Sequence, residues 1–95
     1  MRYYSYEIIR PFNAADNPIN TYMLEILEHW ADKNHLYIYT VQIYELSVHM
    51  RTSMGRNVVM RITDGHTSNN TDYRKYCYMV EIIDGKCKRI KKSDW

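Results

Sequence analysis

Glycine is nearly missing from this chain: three in 95 residues, at positions 55, 65 and 85. A phosphate-cradling loop or a dinucleotide fingerprint needs several at short spacing, so both are excluded. No serine stands in the Gly-x-Ser-x-Gly setting of a nucleophile elbow. Cysteine is as scarce, and Cys77 and Cys87 cannot build a disulfide framework. The four histidines, His29, His35, His49 and His66, show no metal spacing with one another or with the cysteines. The acids are scattered, without a paired-carboxylate pattern. No catalytic set, no metal and no cofactor is therefore expected.

Long apolar runs are absent too. Nothing approaches the roughly 20 residues of a membrane-spanning helix. The opening residues, Met-Arg-Tyr-Tyr-Ser-Tyr-Glu, lack the apolar segment of a secretory signal. These features predict a cytoplasmic protein with no membrane partner. Repeats, low-complexity tracts and linkers are missing as well, so residues 1–95 read as one domain.

What is present is tyrosine, ten against a single phenylalanine. Tyrosine suits the half-buried face of a small sheet and is common in binding patches. Charge is unevenly placed. Residues 1–50 hold three basic and six acidic side chains, residues 51–92 ten basic and four acidic. Such a chain can steer an anionic partner toward its second half.

Residues 36–50 run without glycine or proline and are rich in β-branched and aromatic side chains, which reads as one long strand. Extended, it would span about 50 Å, against a diameter of about 30 Å for a domain this size. It must therefore curl, project or carry a bulge, which is expected near Thr40–Gln42. Its first half is apolar or aromatic on both sides. Tyr37, Tyr39, Val41 and Ile43 fall on one of them by simple alternation, and one helix cannot cover both.

Strands are further predicted over 2–10, 57–63, 73–83 and 86–91. A helix is predicted over 18–33. Asn17 and Pro18 suit its start, Ile19, Tyr22, Met23, Ile26, Leu27 and Trp30 share one face, and Asn34 suits a left-handed cap. Residues 64–72 are the most loop-like stretch. Asp84-Gly85 marks a two-residue hairpin turn that would pair Ile83 with Lys86, Ile82 with Cys87 and Glu81 with Lys88. Cys77 then lies far from Cys87 on the other side, so two free thiols are expected. The order β-α-β-β-β-β gives an α+β fold, a single helix packed on a four- to five-stranded mainly antiparallel sheet in two layers.

Three functional readings follow. The first is a non-enzymatic binding protein of inhibitor or adaptor type, of the kind phages encode against host enzymes, working through Tyr37, Tyr39, Val41 and Ile43. Its partner would be another protein or a second copy in a homodimer. The alternative is a module for RNA or single-stranded DNA, using Tyr73, Arg74, Lys75, Tyr76, Lys86, Lys88, Arg89, Lys91 and Lys92, with Tyr78 among the interleaved aromatics. The bland account of the same cations is protection of a sheet edge. The third is metal-free RNA cleavage by His49 or His66 with a nearby tyrosine and Arg51, Arg61 or Arg74.

Overall fold

A computed structural model describes residues 7–9, 18–63 and 72–95. Helix α1 (Pro18–Lys33) has the predicted bounds. It buries Ile19, Met23, Leu27, Trp30 and Ala31 along one stripe, with Tyr22, Leu24 and Ile26 packed at its margins. Its end differs from expectation by one residue. His35 takes the left-handed conformation, at a φ of 59°. Asn34 instead donates from both its main-chain N and its Nδ2 to the Trp30 oxygen, at 3.1 and 2.8 Å. Both bonds satisfy a carbonyl the helix itself leaves open.

The segment read as one long strand is a hairpin of β2 (Ile38–Tyr44) and β3 (Ser47–Thr52). Tyr44 pairs with Ser47 across a two-residue turn at Glu45-Leu46. Leu46 adopts a φ of 62°, a conformation that glycine or asparagine normally signals. No such residue marks the turn, which hid it. The turn is braced from below by Asn20, whose Nδ2 donates to the Tyr44 oxygen at 2.8 Å. Folding the segment in half fits it into a body of 37 × 30 × 27 Å.

The expected bulge falls one residue early. Ile38 pairs with Thr52 and Thr40 with Arg51, so Tyr39 is the extra residue. That insertion shifts the alternation, so Ile38, Val41 and Ile43 point toward α1 while Thr40, Gln42 and Tyr44 point away. The four residues predicted to share a face are thereby split. Val41 and Ile43 are core, whereas Tyr37 and Tyr39 are exposed.

A 3₁₀ turn at Ser53–Gly55 leads to β4 (Asn57–Ile62). The predicted strand over 73–83 begins as one helical turn, α2 (Tyr73–Tyr76), before β5 (Cys77–Ile83). Tyr73 packs on the core there, its ring 5.5 Å from that of Tyr22. Thr63 ties the end of α2 down, donating from its N and its Oγ1 to the Tyr76 oxygen at 2.7 and 3.0 Å. Strand β6 (Lys86–Ile90) follows the Asp84-Gly85 turn, whose φ values of 51° and 76° suit this type of hairpin. All three predicted pairs across the turn are present. Both cysteines are free, Cys77 buried and Cys87 exposed.

With β1 (Glu7–Ile9), these strands form one six-stranded sheet in the order β1-β2-β3-β4-β5-β6. β1 runs parallel to β2 and every later pair is antiparallel. The fold is thus α+β, one main helix on a mostly antiparallel sheet, with more strands than predicted because the long segment counts twice. The core between them is rich in methionine: Met23, Met50, Met60 and Met79 are fully buried. Trp95 closes its β6 end, donating from Nε1 to the Ile90 oxygen at 3.3 Å. Among the described residues, no helix is long and apolar enough to cross a membrane.

Candidate functional site

Side chains alternate across a strand, so the sheet has a second face. The register aligns it in three rows from β2 outward. Tyr44, Ser47, Arg61 and Tyr78 form one. Gln42, His49, Val59, Val80 and Arg89 form the middle one, and Thr40, Arg51, Asn57, Ile82 and Cys87 the third. The first face carries α1, Tyr73 of α2 and Trp95. Among the described residues, no helix packs on the second.

This open face has a distinct chemistry. Arg51, Arg61 and Arg89 are exposed on it. From β2 to β6 its rows contain no acid, and Glu7 of β1 takes the next register position beside Thr40. Val80 and Ile82 are half-buried, and Val59, at 5% exposure, is buried outside the main core cluster. The face therefore offers an apolar middle under long cationic arms.

Aromatic rings sit at two places in it. Tyr44, 40% exposed, meets the His49 imidazole nearly edge-on with centroids 4.8 Å apart. Tyr78 carries the Arg89 guanidinium over its ring at 4.3 Å. Burial holds the His49 pKa below its ordinary value, and the positive charge of Arg61 lowers it further. The imidazole is consequently neutral at pH 7.

Residues nominated from sequence are scattered by the fold. Of the basic C-terminal set, Arg89 reaches the open face. Lys86 and Lys88 alternate to the helix side of the β6 edge, where Lys88 pairs with Glu81. Tyr73 is committed to the core margin. Arg74 donates from Nη2 to the Lys92 oxygen at 3.0 Å and stacks on Trp95 at 5.1 Å. Lys92 Nζ donates to the Lys75 oxygen at 3.4 Å, and Lys75 lies 5.7 Å from the Tyr76 ring centroid. That part of the basic set staples α2 to the end of the chain. Of the cleavage candidates, His49, Arg51 and Arg61 share the open face, Arg74 is elsewhere, and His66 lies outside the described residues.

A groove of about 470 Å³ runs beside β6 on the helix side, lined by Lys33, Arg56, Glu81, Lys88 and Lys91 among others. Two of its charges, Arg56 and Glu81, are matched to each other. Arg56 donates from Nε and Nη2 to the two Glu81 carboxylate oxygens at 2.7 and 3.0 Å, and its guanidinium lies over the Trp30 ring at 4.8 Å. That bidentate contact depresses the Glu81 pKa. Lys33 Nζ donates to the main-chain oxygens of Asp94 and Trp95 at 2.8 and 2.6 Å. No group of histidine, cysteine or acidic side chains among the described residues is arranged to hold a metal ion.

Comparison with protein-family models, with curated proteins and with solved structures finds no match to this chain.

Proposed function

We propose that this is a non-enzymatic binding module whose open sheet face holds single-stranded nucleic acid in the cytoplasm. One observation carries the reading. Three exposed arginines and two aromatic sites share a face whose rows hold no acid between β2 and β6. Cations attract the phosphates, and flat rings or guanidinium planes accept unpaired bases. On the helix side Glu25, Glu28 and Asp32 lie along α1, whereas Lys33, Arg56, Lys88 and Lys91 gather beside β6. Compared with the sequence expectation, the site moves from the basic hairpin to the sheet surface beside it.

Anisotropy of a labelled single-stranded oligonucleotide at two salt concentrations tests this. Binding should weaken as salt rises, with a log–log slope near −2 for three phosphate contacts. It should vanish in the R51E/R61E/R89E variant, whose fold is checked by circular dichroism. Salt-insensitive binding, or full binding by that variant, overturns the reading.

A second reading, contact with a protein or a second copy, is favoured by a different place. Tyr37 and Tyr39 are 47% and 55% exposed, and Met54, at 87%, sits at the 3₁₀ turn with a φ of 61°. Tyr37 and Ser53 are tied by two hydrogen bonds, so this apolar end is one unit. Light scattering on the purified chain tests for the second copy: a dimer that Tyr39→Glu dissociates supports it, and a monomer at all concentrations removes it.

A further inference from the structure

Resting on the nucleic-acid reading, we propose that the open face seats two separated bases and therefore takes a strand laid across the β-strands, at least three nucleotides long. The first seat is Tyr44, its ring held by the edge of His49. The second is the Arg89 guanidinium, held over the Tyr78 ring at 4.3 Å. A stacked guanidinium still presents its outer plane, and bases stack on arginine planes as they do on rings.

Register fixes the spacing. Tyr44 and Tyr78 lie in the same row, on β2 and β5, with Ser47 and Arg61 between them. Three inter-strand steps amount to roughly 14 Å. Neighbouring stacked bases along one strand are only about 3.4 Å apart. The two seats thus cannot hold stacked neighbours, and at least one nucleotide must bridge them. Arg61 stands in that gap, one strand from Tyr78, where the bridging phosphates pass. The intervening stretch offers no third ring in this row, since Ser47 is the other residue there. The middle nucleotide is consequently held by its phosphates.

The arrangement predicts bivalency. Two seats act together only when the linker spans them. Substitutions that remove a flat surface without changing charge are Tyr44→Leu and Arg89→Lys. Against a hexanucleotide, each should weaken binding by about five- to hundredfold, the usual range for losing one stacked base. Against a dinucleotide, each should cost no more than about twofold, because the short ligand moves to the remaining seat. That length-dependent difference supports the proposal. Equal losses at both lengths, or a hexanucleotide indifferent to either change, would overturn it while salt-dependent binding of the hexanucleotide left the parent reading standing. Failure of the unaltered protein to bind any oligonucleotide overturns both.

Discussion

The two faces of this sheet are made from the same strands, yet they obey different rules. Toward α1 the strands present Val41, Ile43, Val48, Met50, Val58, Met60 and Met79, all buried. Away from it they present arginine, tyrosine, histidine and glutamine. Methionine suits the first face because its unbranched chain fills the irregular gap under a single crossing helix. The second faces away from the core, and its buried residues, Ser47 and Val59, stand outside the core cluster. Neighbours in sequence thus fall on opposite faces, which lets each face be altered without the other.

The sharpest way to break that division is to substitute adjacent residues of β4. Met60→Ala empties a fully buried position and should cost about 2–5 kcal/mol in urea unfolding. Arg61→Ala, one residue on and exposed, should stay within about 0.5 kcal/mol. Oligonucleotide affinity should show the reverse order among the variants that remain folded. Comparable losses of stability would mean the faces are not independent.

Stability against pH separates them next. The folded His49 resists protonation, so the unfolded chain takes up a proton first as pH falls past 6.5. Stability should therefore be flat above that point and decline below it. Glu81 has a depressed pKa through Arg56, so its contribution is complete above 4.5 and is lost progressively as pH falls from there through the lower pKa of the folded carboxylate. His49→Gln should erase the upper decline and leave the acid one intact in thermal melts across pH.

The smallest expected effect is a difference in labelling. Cys87 lies on the open face and should react readily with a thiol reagent. Cys77 is buried under α1 with its pKa pushed up to about 11, mainly by burial, and should react only on unfolding. A bound oligonucleotide should slow Cys87 severalfold and leave Cys77 unchanged.

Much of this architecture was legible in the residues. The apolar spacing of α1, the Asp84-Gly85 turn and its pairings all follow from local rules. Among the departures that were not legible, two concern phase. Leu46 turns the chain without a turn residue, and Tyr39 adds one residue to β2. Each depends on tertiary burial outweighing local preference, which no alternation pattern records. Because phase decides faces, the site suffered most. Val41 and Ile43 were assigned to a surface they do not reach, while His49, Arg51 and Arg61 were nominated for a different chemistry. Arg89 was found by charge alone, and its stacking partner Tyr78 was noted only as an interleaved aromatic.

The strand order has a last consequence, for how the molecule is reached from the unfolded chain. From β2 to β6 each strand lies beside the one that precedes it, so four of five pairings close between chain neighbours. Only β1 must wait for a partner beyond the whole of α1. Pairing between chain neighbours closes shorter loops than pairing across the whole chain would, which favours faster folding. The meander can zip from any of its hairpins, with the parallel edge docking last. In hydrogen exchange, the amides of β1 should be the first to open and those of β3 and β4, enclosed on both flanks, the last.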